Sequence, residues 1–94
     1  MKPEVLRTII SVLEPFRLYG KILVPDENEK EMMIKLSELV KQAFSPVEYD
    51  EIAQYERLID SKQFTEIYKL SYVLLEEEIP TDDIPKRWVN RTNV

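Results

Sequence analysis

The sequence predicts a small all-α domain, a bundle of about four helices over approximately residues 3–15, 27–44, 46–60 and 62–78. Three observations carry this prediction. Apolar residues recur at spacings of three and four along most of the chain, the period of a helix with one buried face. Asp26, Ser45-Pro46 and Asp60-Ser61 stand where such stripes begin, and these residue types favour helix starts. The 94 residues contain one glycine, too few for the tight turns that an all-β sandwich or barrel requires.

The first helix draws on Val5, Leu6, Ile9, Ile10, Val12, Leu13 and Phe16, with Val5, Ile9, Val12, Leu13 and Phe16 spaced to share a face. Pro3 suits its first turn, where a missing N–H costs nothing, and Pro15 ends or kinks it. Residues 16–24, "FRLYGKILV", alternate in polarity as a strand does. Two readings compete. A strand needs a partner, which would be its twin in a dimer, or it lies as an edge. Alternatively, Gly20 caps the helix and residues 20–25 run extended as a linker. The balance falls on the linker.

Asp26 with Glu29 has the spacing of a capping box for the second helix, whose stripe is Met32, Met33, Leu36, Leu39, Val40, Ala43 and Phe44. Ser45, Pro46 and Glu48 repeat the signal for a third helix built on Val47, Ile52, Tyr55, Leu58 and Ile59. Asp60 with Gln63, or Ser61, restarts a fourth. Its Phe64, Ile67, Tyr68, Leu70, Val73, Leu74 and Leu75 cover a wide arc, which marks it as the central helix. Short connections place successive helices side by side. Residues 1–79 read as the bundle domain. Residues 80–94 read as an acidic hinge and a Trp/Arg tail, extended or short-helical, because Pro80 and Pro85 oppose continuation of the helix.

Composition narrows the function. The chain has no cysteine and no histidine. That removes disulfides, the thiolate and imidazole ligand sets of zinc, haem and iron–sulfur sites, and the commonest acid–base and nucleophilic residues. No phosphate-cradling glycine loop or nucleophile elbow is present. Glu48–Glu51 and Glu56–Asp60 have the spacing of paired carboxylates, yet they read as a solvated helix face. The expectation is therefore no enzyme, no cofactor and no metal site. Without a leader-like apolar segment or an 18-residue apolar run, a cytoplasmic chain with no membrane span is expected.

The net charge is −5, and residues 1–85 hold ten basic against eighteen acidic residues, which disfavours nucleic acid as a partner. Another protein is the expected partner, with a homo-oligomer allowed. The candidate contact residues are Ile84, Lys86, Arg87, Trp88 and Arg91 in the tail, and Tyr68 and Tyr72, one turn apart on the fourth helix. Trp, Tyr and Arg are enriched at binding hot spots. Trp88 suits equally a lid on its own bundle. The chain reads as a small acidic, non-enzymatic protein-binding module: a regulator, inhibitor or adaptor. A nucleic-acid-associated accessory or transcription-regulating protein using the basic tail is the alternative. In size, acidity and helical pattern the chain is broadly similar to small bacterial and phage regulators such as antitoxins and immunity proteins, a likeness of class that no motif carries.

Overall fold

Proline opens the first helix and proline closes it. In the computed structural model, which describes residues 1–78, α1 spans Pro3–Leu13 with Pro3 in its first turn. Pro15 tightens the following residues into a 3-10 turn, Glu14–Phe16, because it has no N–H to continue the ladder. The buried face is Leu6, Ile9, Ile10 and Leu13, flanked by half-buried Val5, Val12 and Phe16. This register is rotated from the Val5–Val12–Phe16 line expected from spacing. α1 packs against two helices, one on each side, so its centre of burial lies between them.

Residues 16–24 do not form a linker. Arg17–Leu18 (β1) and Lys21–Ile22 (β2) pair antiparallel, with Arg17 opposite Ile22 and Leu18 opposite Lys21. The alternation was a strand signal, and each half finds its partner in the other half. Tyr19 and Gly20 form the turn with φ of 51° and 78°, the positive pair that a two-residue type I′ hairpin requires.

The second helix, α2, runs Asp26–Ala43. Its expected capping box is not made: Pro25 holds the cap position without a side-chain bond, and its carbonyl accepts the Asn28 N–H at 2.9 Å. Asp26, Glu27 and Glu29 still favour the first turn through the helix dipole. The third helix, α3, starts at Tyr49 and ends at Asp60, three residues later than expected at its N-terminus. Ser45–Glu48 makes a separate turn, closed by Glu48 N–H to Ser45 oxygen at 2.9 Å. Half of the capping box survives there. Glu48 Oε1 accepts the Ser45 N–H at 2.9 Å and the Met1 ammonium at 3.0 Å. Those contacts, the Ser45 amide first, hold the Glu48 carboxyl below its ordinary pKa. Val47, placed in the apolar stripe by spacing, is 80% exposed on this turn.

α3 ends in a Schellman motif. Gln63 N–H bonds the Leu58 oxygen at 2.9 Å and Lys62 N–H bonds the Ile59 oxygen at 3.0 Å, with Lys62 at φ 57° in the position glycine usually takes. The last helix, α4, is Phe64–Glu78. Gln63, rather than Asp60 or Ser61, supplies the carbonyl that accepts the Ile67 N–H.

Each helix packs on the next, and α1 also packs on α4, closing a four-helix ring. Leu6, Ile9, Leu13, Leu36, Val40 and Ile67 fill its centre around Tyr55, the largest fully buried side chain. Phe44 leans on the Tyr55 ring, with centroids 5.6 Å apart. α4 is not the enclosed central helix that its wide apolar arc suggested: Val73 is 50% and Tyr72 42% exposed. Among the described residues no helix is long and apolar enough to cross a membrane.

The Tyr55 hydroxyl donates to Ser71 Oγ at 2.7 Å, and Ser71 Oγ donates on to the Ile67 oxygen at 2.9 Å. The two losses should be unequal. Tyr55→Phe leaves Ser71 bonded to Ile67 and should cost about 1 kcal/mol, whereas Ser71→Ala orphans a buried hydroxyl and should cost about 1–3 kcal/mol, both measurable by urea unfolding. Burial pushes the Tyr55 phenol from 10.0 up to about 12. A raised pKa means the folded state holds the proton more tightly. This contribution is complete below pH 10 and should be lost as pH rises toward 12. Alkaline destabilisation should therefore be shallower in Tyr55→Phe.

Candidate interaction surface

Ser71 and Ile67 point into the core, and this sets which side of α4 meets the hairpin. Thr65, Tyr68 and Tyr72 fall at helical spacing on that side. Thr65 Oγ1 accepts the Ile22 N–H at 2.9 Å. Arg17 and Ile22 are opposed in the ladder, and the next pair outward bonds through Leu23 N–H to Phe16 oxygen at 2.8 Å. By the alternation of an antiparallel pair, the Ile22 N–H faces away from β1. Thr65 satisfies it. The Ile22 side chain enters the core, so the hairpin is tied to the bundle by one hydrogen bond and one apolar anchor.

One turn along α4, the Tyr68 hydroxyl donates to Glu14 Oε2. Glu14 also lies 3.7 Å from Arg17 Nη1. Partial burial first, and the hydrogen bond to the Glu14 carboxylate second, hold the Tyr68 phenol well above its ordinary range. Tyr72 meets the Tyr68 ring edge-on, with centroids 5.0 Å apart and planes at 64°, a favoured aromatic geometry. The expected Tyr68–Tyr72 pair is thus physically joined. Ile84, Lys86, Arg87, Trp88 and Arg91 lie outside the described residues.

Four residues absent from the sequence-derived set complete the surface. Leu18, Tyr19 and Leu23 are exposed on the hairpin, Tyr19 at 94%, and Arg17 stands beside Leu18. Tyrosine is a bulky residue for a left-handed backbone conformation. Gly20 has open space around its Cα, so its requirement is the dihedral alone. The hairpin was hidden because the usual signal is Asn-Gly or Asp-Gly, and Tyr-Gly reads as neither. The two alternating halves on either side of Gly20 were the available clue.

Met32 is buried in the core and Met33 packs against it. Among the described residues no group of three or more carboxylates is placed to hold a metal ion. No family model, no curated protein and no solved structure matches the chain.

Tyr19→Asn keeps a residue that tolerates the left-handed conformation, and should raise unfolding free energy by about 0.5–1 kcal/mol. Tyr68→Phe removes the bond to Glu14 and should lower it by about 1 kcal/mol. Parallel urea melts at neutral pH check both signs. Absorbance titration of Tyr68→Phe should lack one phenol from the alkaline end of the wild-type curve.

Proposed function

We propose that this chain is a non-enzymatic protein-binding module, a regulator, inhibitor or adaptor, which engages another protein through the rim formed by the hairpin and the Tyr68–Tyr72 face of α4. The observation that carries the reading is Tyr19. It holds a strained backbone angle, φ 51°, and is 94% exposed, so no contact within the described fold offsets the strain. Strained residues persist where function requires them. The hairpin also carries Arg17 and exposed Leu18 and Leu23, and α4 adds Tyr68 and Tyr72; Arg and Tyr are residue types concentrated in hot spots. The absence of histidine and cysteine from the chain supports binding over catalysis. An acidic body speeds encounter with a basic partner.

Affinity capture with wild type, followed by titration of the captured protein against variants, tests this reading. Tyr19→Asn and Tyr72→Ala should each weaken binding by about 2 kcal/mol, roughly thirtyfold, with Tyr19→Asn at least as stable as wild type. Unchanged affinity in both variants overturns the reading. Retention on duplex DNA with a steep loss on adding salt would assign the chain to nucleic acid instead.

A further inference from the structure

Exposed apolar residues gather at both ends of the bundle, in settings of opposite charge. At one end the ladder sets Leu18 opposite Lys21. Alternation then places Phe16, Leu18, Lys21 and Leu23 on one face of the hairpin and Ile22 on the other. Ile22 is buried in the core, while Leu18 and Leu23 are 51% and 53% exposed, so the face opposite Ile22 looks away from the bundle. Residues 15–25 hold Arg17 and Lys21 and no acidic residue. Arg17 is paired with Glu14, and exposed Lys21 has no ion-pair partner among the described residues.

The second group lies at the far end. The hairpin joins the end of α1 to the start of α2, and the Lys2 N–H bonds the Ala43 oxygen at 2.8 Å, which sets the start of α1 beside the end of α2. The 18 residues of α2 therefore separate the hairpin from the Ser45–Glu48 turn by about 27 Å. On that turn and the start of α3, Pro46, Val47, Tyr49 and Asp50 are all exposed, Val47 at 80% and Tyr49 at 69%. Residues 42–56 hold Glu48, Asp50, Glu51 and Glu56 and no basic residue. The Met1 ammonium pairs with Glu48, and Asp50 and Glu51 have no ion-pair partner among the described residues. Lys2 and Lys41 line a cleft with Ser45 and Glu48, but Val47, Tyr49 and Asp50 are not in its lining. Leu18, Leu23, Val47 and Tyr49 take no part in the core. Single exposed apolar residues are ordinary. Here they form two groups of opposite local charge, which one rigid bundle holds apart and a second copy can join.

We propose that the hairpin of one copy docks on the Val47–Asp50 turn of the next, with Leu18, Tyr19 and Leu23 against Val47 and Tyr49 and with Lys21 beside Asp50. Complementary charge sets the register of the contact. The two surfaces differ, so the contact is head-to-tail, each assembly keeps one free surface of each kind, and growth continues past a dimer. This goes beyond the partner-binding reading, because the Val47 turn lies outside the rim named there.

Sedimentation of the full chain at rising concentration should give an average mass that passes that of a dimer. Leu18→Glu faces Lys21 across the ladder, and Val47→Lys sits on an exposed turn, so both should keep the wild-type far-UV circular dichroism. Each variant has one spoiled surface and should remain a monomer where wild type associates. In an equimolar mixture the intact turn of the first takes the intact hairpin of the second. The average mass should double and rise no further. A wild type that stays monomeric at every concentration overturns the proposal. So does a mixture that stays monomeric, which makes the contact like-on-like, or association that survives in either variant alone, which places it elsewhere. Val47→Lys leaves the hairpin rim intact and should still bind a protein captured through that rim, so the two readings fail separately.

Discussion

A phenol hydroxyl buried among aliphatic side chains must find a partner or carry an unfavourable desolvation cost. In this fold the Tyr55 hydroxyl meets that demand through Ser71, which passes a second bond to its own helix at Ile67. The requirement reaches far. With Ser71 turned inward, the rotation of α4 about its axis is set. Tyr68 and Tyr72 then face the end of α1 and the hairpin, Leu70 and Leu74 pack along the edge of the core, and Val73 faces outward. One polar pair in an apolar core specifies an orientation that hydrophobic burial alone leaves loose, because burial is non-directional and α4 is apolar over a wide arc.

The same logic applies at the hairpin. Two residues per strand bury too little to hold a hairpin alone. The bundle holds it, through the Ile22 side chain in the core and the Ile22 N–H on Thr65. That anchoring allows a tyrosine to occupy the turn despite its backbone strain. Charge contributes less to the frame. The Lys62–Glu29, Lys69–Glu66 and Arg17–Glu14 pairs lie at 3.5–3.8 Å with largely exposed side chains, and such pairs are worth little. Burial and a few directed hydrogen bonds carry the fold. The surface charge is left to act on what approaches from solution.

Sequence alone determined that the chain is all-α with four helices, and it located most of the core. Helical periodicity placed Met32, Leu36, Val40 and Ala43 on one face, and Tyr55 and Ile59 on another, because a 3.6-residue period is a local property that the sequence displays directly. It also brought Tyr68 and Tyr72 together, since residues four apart on a helix are neighbours wherever that helix lies. Helix starts were less legible. The Asp26 and Ser45 capping signals are compatible with a cap and with a simple turn, and tertiary contacts such as Glu48 with Met1 decided between them. The hairpin, the exposure of Tyr19 and the rotation of α4 about its axis were decided by the tertiary structure. Each depends on a contact between residues distant in the chain: Ile22 with Thr65, Tyr68 with Glu14, Tyr55 with Ser71. No local pattern encodes such contacts, because the energy that selects them appears only when the elements are packed.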